Sequence, residues 1–241
     1  MESKPKVWHY EFEGFRVICV ATGHFRENAY IVHPTASDRA VLIDPGDDPD
    51  LITAELEKLR VRVGGILLTH GHFDHVGAIT DLSSAEIPIY LHKKDQRLYR
   101  RADLYSRSFI QKKLTVPKKT VPYAIPEVGL PFCPPVRVLE TPGHTGGGVT
   151  LFFEPAFAFT GDTFLFEKIG GSDYPESNHE DLLQSVEGIL QAVPPGTVLF
   201  PGHGKPWTAE EAGQWWQANK AHPKQLKLFS PPQPPAGRVQ R

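Results

Sequence analysis

Apolar, β-branched runs recur along this chain, and several of them end on a residue able to bind a metal. The runs are bounded by Gly and Pro and read as buried strands: 15–21 (FRVICVA), 29–32 (AYIV), 40–44 (AVLID), 65–69 (GILLT), 87–91 (IPIYL), 136–140 (VRVLE), 149–153 (VTLFF), 156–160 (AFAFT) and 197–200 (TVLF). His70 follows GILLT, His144 follows VRVLETPG, Asp162 follows AFAFTG and His203 follows TVLFPG. Sites in α/β folds gather where strand ends present their loops, so residues this far apart in sequence are placed to converge on one edge.

Helical patterns alternate with the strands, which makes the class α/β. Residues 47–60 offer Asp48 as N-cap and Pro49 at the first helical position, with Leu51, Ile52, Leu56 and Leu59 on one face. Ser177 and Glu180 have the spacing of a capping box ahead of Leu182, Leu183, Val186, Ile189 and Leu190, and Thr208 with Glu211 repeats it. With 241 residues, 40% of them hydrophobic, the chain can bury one sizeable core. A formal net charge of −2 excludes a wholly basic nucleic-acid binder. The opening residues lack the apolar core of a signal peptide, and no run approaches the roughly 20 apolar residues of a membrane span. Cys19 and Cys133 are read as buried free thiols of a reducing compartment, so a cytoplasmic protein is expected.

The densest signal is HGHFDH, residues 70–75. His70 and His72 lie two apart and point to one side of an extended segment, while Asp74 and His75 come after a turn and face a second point. Imidazole nitrogen and carboxylate oxygen suit zinc and related divalent ions. Two such ions about 3.5–4 Å apart can share a carboxylate and a hydroxide that is a nucleophile at neutral pH, so no serine or cysteine is needed.

Together these motifs resemble the metallo-β-lactamase superfamily: HGHFDH (70–75), TPGHTGG (141–147), GD (161–162), PGHG (201–204) and the early VLIDPG (41–46). The resemblance implies an αββα sandwich of two mixed β-sheets flanked by helices, with the metals at one edge. Carried over, His70, His72 and His144 bind a first metal, Asp74, His75 and His203 a second, and Asp162 bridges them. Asp74 would also be catalytic, orienting the attacking water and moving its proton. Asp44 is expected to hold the loop or a ligand from behind. Two divalent ions are implied, zinc first, with iron or manganese as alternatives.

Within the superfamily the chain is most similar to the short, bacterial glyoxalase II-like (hydroxyacylglutathione hydrolase-like) branch, through ENAYIV (27–32), LIDPGDDP (42–49), THGHFDHVGA (69–78) and the GDTFLF and GGSDYP segments of 161–175. It departs from that branch at Gly146–Gly148 and at Gly171, where relatives carry Arg. The implied activity is hydrolysis of a small, anionic thioester or ester by a metal-bridging hydroxide. A mononuclear iron persulfide dioxygenase, using His70, His144 and Asp162, is the alternative. A lactonase or a phosphodiesterase/nuclease stands behind it.

Residues 93–119 carry ten Lys or Arg against two Asp, and read either as a solvated face or as a rim drawing an anionic substrate, with Tyr105 and Phe109 over the acyl group. Nucleic acid and membrane are not expected partners. His9, His24, His33, His92, His179 and His222 are read as ordinary surface or loop residues. Residues 1–225 are expected to form a single domain, and the proline-rich stretch 226–241 a disordered tail.

Overall fold

The computed structural model describes residues 6–221. Two six-stranded mixed sheets stack face to face, with helices on both outer faces, as the sequence predicts. The first sheet runs β1 (Val7–Phe12), β2 (Phe15–Thr22), β3 (Glu27–Pro34), β4 (Arg39–Ile43), β5 (Arg62–Leu67) and β6 (Ile89–Tyr90) in chain order. Its first four strands pair antiparallel and its last three parallel. The second sheet places β7 (Glu127–Leu130), β8 (Cys133–Glu140), β9 (Val149–Phe153) and β10 (Phe157–Gly161) side by side, followed by β13 (Val198–Pro201) and β14 (Trp207–Thr208). A two-stranded hairpin, β11 (Phe164–Leu165) with β12 (Lys168–Ile169), stands apart.

Both faces of each sheet are covered, which is why the central strands read as continuous apolar runs. Ile18, Ile31, Leu42 and Ile66 point outward under α1 (Pro49–Leu59) and α2 (Ile79–Leu82). Val17, Val32, Val41, Phe153, Phe159 and Phe200 fill the space between the sheets. Ala158 and Leu199 point the other way, under α5 (His179–Ala192) and α6 (Ala209–Asn219). Two short helices, α3 (Gln96–Tyr99) and α4 (Ala102–Ile110), lie within the basic segment.

Several local expectations are corrected. β1 was not anticipated; Trp8, Tyr10 and Phe12 pack on the inter-sheet core while His9 and Glu11 are exposed. α1 begins at Pro49 behind Asp48, but the Asp48 side chain makes no capping bond and instead accepts from Lys6 and the Gly23 amide. α5 begins one residue later than the capping box requires, so Asn178 accepts from the amides of Glu180 and Asp181. Ser177 is turned away to donate to the His144 carbonyl at 2.8 Å. The Thr208–Glu211 box forms as expected. His33 and His92 are buried, held by the Ser37 carbonyl and by Glu140. Both cysteines are free and buried. No helix among the described residues is long and apolar enough to cross a membrane. His222 and the tail at 226–241 lie outside the described residues.

The strand ends that matter are stitched together across the sandwich. The Asn28 amide donates to the Gly202 carbonyl at 2.7 Å, the Gly202 amide to Gly161 at 2.8 Å, and the Val149 amide to Thr69 at 2.9 Å. The Asn28 side chain donates to the carbonyls of Pro201 and Gly204, and the Tyr30 hydroxyl to Pro201. Phe159 anchors the core beneath these ends: it is fully buried, stacks on Phe200 at 5.4 Å and meets Tyr30 at 4.8 Å. Phe159→Ala is expected to cost about 3–5 kcal/mol of unfolding free energy, read from urea denaturation.

Candidate metal centre

The loops after β5, β8, β10 and β13 bring His70, His72, Asp74, His75, His144, Asp162 and His203 to one edge. His70, His72 and His144 form one group of potential ligand atoms, and Asp74, His75 and His203 another, each within 4.8 Å of one another. Asp162 lies between them. Its Oδ2 is 3.7 Å from His144 Nε2 and 3.5 Å from His203 Nε2, and its Oδ1 is 3.7 Å from His75 Nε2. Asp74 Oδ2 is 3.5 Å from His203 Nε2.

The orientation of the imidazoles follows from what stands behind them. His75 Nδ1 faces Asp44 Oδ2 at 3.0 Å, His144 Nδ1 faces the Gly171 carbonyl at 2.8 Å, and His72 Nε2 faces Glu176 Oε1 at 3.2 Å. A carbonyl or carboxylate only accepts, so each of these nitrogens carries the proton and the opposite nitrogen presents a lone pair. Thr69 Oγ1 gives its proton to Asp44 Oδ2 at 2.5 Å and accepts from His70 Nδ1 at 3.0 Å, which leaves His70 Nε2 as the free lone pair. The consequence is an arrangement that needs a cation. His72 Nδ1 and His144 Nε2 face each other at 2.9 Å, and the buried atoms His70 Nε2, His75 Nε2 and Asp162 Oδ1 have no hydrogen-bond partner among the described residues. Orphaned lone pairs of this kind are costly in a protein interior, and divalent metals satisfy them.

Asp44, His70 and His75 also form a close group. Asp44 is already engaged there, accepting from the Thr69 amide and hydroxyl and from His75. It therefore backs the ligands, as the sequence reading expects, and is not a third centre.

The electrostatics agree. Burial, reinforced by His75 and His72, holds His70 well below the ordinary histidine range, and burial with His72 brings His144 down to about 4. Both are neutral ligands at pH 7. Burial opposes a charge on His75, but Asp162 and Asp74 outweigh it and raise its pKa. Burial also works against ionised Asp74, yet His75 and His203 keep that carboxylate below the usual range.

Residues that carried no signal in the sequence complete the site. Asp95, buried inside the basic segment, accepts from the Gly71 amide at 2.9 Å, the Thr145 hydroxyl at 2.8 Å and the Gly147 amide at 2.7 Å. It ties the HGHFDH loop to the TPGHTGG loop. A Cβ on Gly147 would sit 2.6 Å from Asp95 Oδ1, so glycine there permits the close approach. Tyr174 lies 5.6 Å from the His72 ring and 5.9 Å from that of His144. The Gly171 departure leaves the tie to His144 intact, because a backbone carbonyl makes it.

A family model of the metallo-beta-lactamase superfamily matches residues 22–233. The chain belongs to this superfamily. Among its members, the probable metallo-hydrolase YqgX of Bacillus subtilis (strain 168) is 30% identical over 186 residues, which cover 76% of this chain and 87% of that protein. The probable polyketide biosynthesis zinc-dependent hydrolase PksB of the same organism is 29% identical over 177 residues, covering 72% of this chain and 71% of that one. The crystal structure of TTHA1623 in a di-iron-bound form superposes with a TM-score of 0.74 at 34% identity, covering 81% of this chain and 96% of that one.

Two outcomes are expected. Asp95→Ala leaves three buried donors unpaired, so it should cost about 3 kcal/mol in thermal melts and weaken metal binding about 10–100-fold in chelator competition. Because Asp162 and Asp74 favour a proton on His75, an ion at its Nε2 must compete with that proton, so metal affinity in chelator competition should weaken as the pH falls; affinity independent of pH would contradict it.

Proposed function

We propose that the protein is a metal-dependent hydrolase of small thioesters or esters, glyoxalase II-like in its chemistry. The observation that carries this reading is the position of Asp162, set between two groups of ligand atoms at a small cavity of about 70 Å³. In this reading His70, His72 and His144 would hold one ion and Asp74, His75 and His203 the other, with Asp162 available to both. The mixed nitrogen and oxygen donors suit zinc, and accept iron or manganese. The zinc-dependent name of PksB and the di-iron form of TTHA1623 support that range.

When bound, two divalent ions polarise the scissile carbonyl and lower the pKa of water to roughly 7. The chain's own residues do the rest. Asp74, which lines the cavity, orients the attacking water and accepts its proton. Tyr105 and Phe109 of α4 and Tyr174 enclose the acyl group and exclude bulk water, and Phe109 is held by stacking on Phe73 at 5.8 Å. The basic segment thus supplies a wall of the cavity, with its cations outside to draw an anionic substrate; Arg107 and Lys112 are already paired with Asp103 and Asp47.

The convergence of Asp74, His75 and His203 favours this hydrolase over the one-iron persulfide dioxygenase, which would leave those three without an ion. The free cysteines accord with a cytoplasmic protein. We take residues 1–225 as one domain, acting on a small molecule rather than on nucleic acid or membrane.

Metal-loaded protein is expected to hydrolyse S-lactoylglutathione or a comparable small thioester, and Asp74→Ala to lower kcat about 10²–10⁴-fold and to weaken binding of the ion it shares with His75 and His203. Full activity in that variant would remove Asp74 from its role. Oxygen uptake with glutathione persulfide, and no thioester turnover, would overturn the hydrolase.

A further inference from the structure

Beside His203 the sandwich opens into a second cavity of about 730 Å³, roughly ten times the one at Asp162. The two meet at Phe25, which lines both. A substrate reacting between the ligand groups therefore has a cramped side and a roomy side. The large cleft lies where β1 and β2 face the loop after β13 and the turn of the β11–β12 hairpin.

Its chemistry differs from that of the small cavity. Trp8 and Tyr10 of β1 form one wall, on the strand face that otherwise packs into the inter-sheet core, and both stay partly exposed there. Phe166 forms the opposite wall, with Lys205 Nζ 3.9 Å from the centre of its ring. Arg26 and Lys168 add two more cations to the lining, against one carboxylate, Glu167. Aromatic walls with flanking cations bind flat π-systems and phosphate oxygens together. A short anionic peptide would use the cations and leave the aromatic walls unemployed.

We propose that this cleft binds the leaving-group half of the substrate, and that this half is a nucleotide-type carrier bearing an aromatic base and phosphates. The small cavity then takes only a short acyl group. The proposal rests on the hydrolase reading above: water adds its hydroxyl to the acyl carbon, the carbon–sulfur bond breaks, and the remaining proton goes to the departing thiolate in the cleft.

Binding can be tested without turnover. Calorimetric titration would use S-methyl-coenzyme A and S-methylglutathione, whose blocked sulfurs present no thiolate to a metal. The coenzyme A derivative is expected to bind about tenfold or more tightly, and Arg26→Glu with Lys205→Glu to remove most of that advantage. Equal or reversed affinities in the wild-type protein would overturn the proposal, and this comparison does not depend on any variant folding. An advantage untouched by charge reversal in a variant with an unchanged melting profile would overturn it too. Turnover of acetyl-coenzyme A and S-acetylglutathione by the metal-loaded protein separates the two readings. Preferential binding without thioester turnover would retain the cleft and refute the hydrolase, whereas turnover without preference would do the reverse.

Discussion

Imidazole rings can aim their lone pairs at one place only if their other nitrogens are held from behind, and much of this fold is organised to do that. Asp44, at the end of β4, receives His75 and, through Thr69, fixes His70. Gly171 and Glu176, beyond the β11–β12 hairpin, receive His144 and His72. Asp44, Gly171 and Glu176 each come from a different part of the chain than the histidines they serve, so the ligand geometry exists only in the folded protein. The free energy of aligning buried lone pairs is met by the packed sheets and recovered when a cation binds.

The carboxylates divide this labour by position. Asp162 looks inward at histidines of both groups, and Asp74 looks inward within the group it forms with His75 and His203. Asp44 and Asp95 stand behind the ligands and spend their oxygens on backbone amides, hydroxyls and, at Asp44, the back of the His75 ring. Four aspartates near one site therefore do three different jobs, which are told apart by the donors that face them rather than by residue type.

The fold and the seven candidate ligands were legible because their signal is local. Apolar runs end in His70, His144, Asp162 and His203, and HGHFDH packs four ligand-type residues into one turn. What was not legible depends on contacts between distant segments. Asp95 sits in a run of lysines and arginines, and its partners Gly71 and Thr145 are 24 and 50 residues away. Asn178 displaces Ser177 as the cap of α5 because the Ser177 hydroxyl is drawn to the His144 carbonyl, a contact no spacing rule contains. β1 does alternate apolar and polar residues, but only its pairing with β2 reveals Trp8 and Tyr10 as a wall of the large cleft.

If the two ligand groups that share Asp162 each hold an ion, elemental analysis of the gently purified protein alongside its His203→Ala variant will count them. About two divalent ions per chain are expected in the wild-type protein and about one in the variant. One ion per chain in both would contradict this, leaving Asp74, His75 and His203 as a hydrogen-bonded cluster and not a metal site.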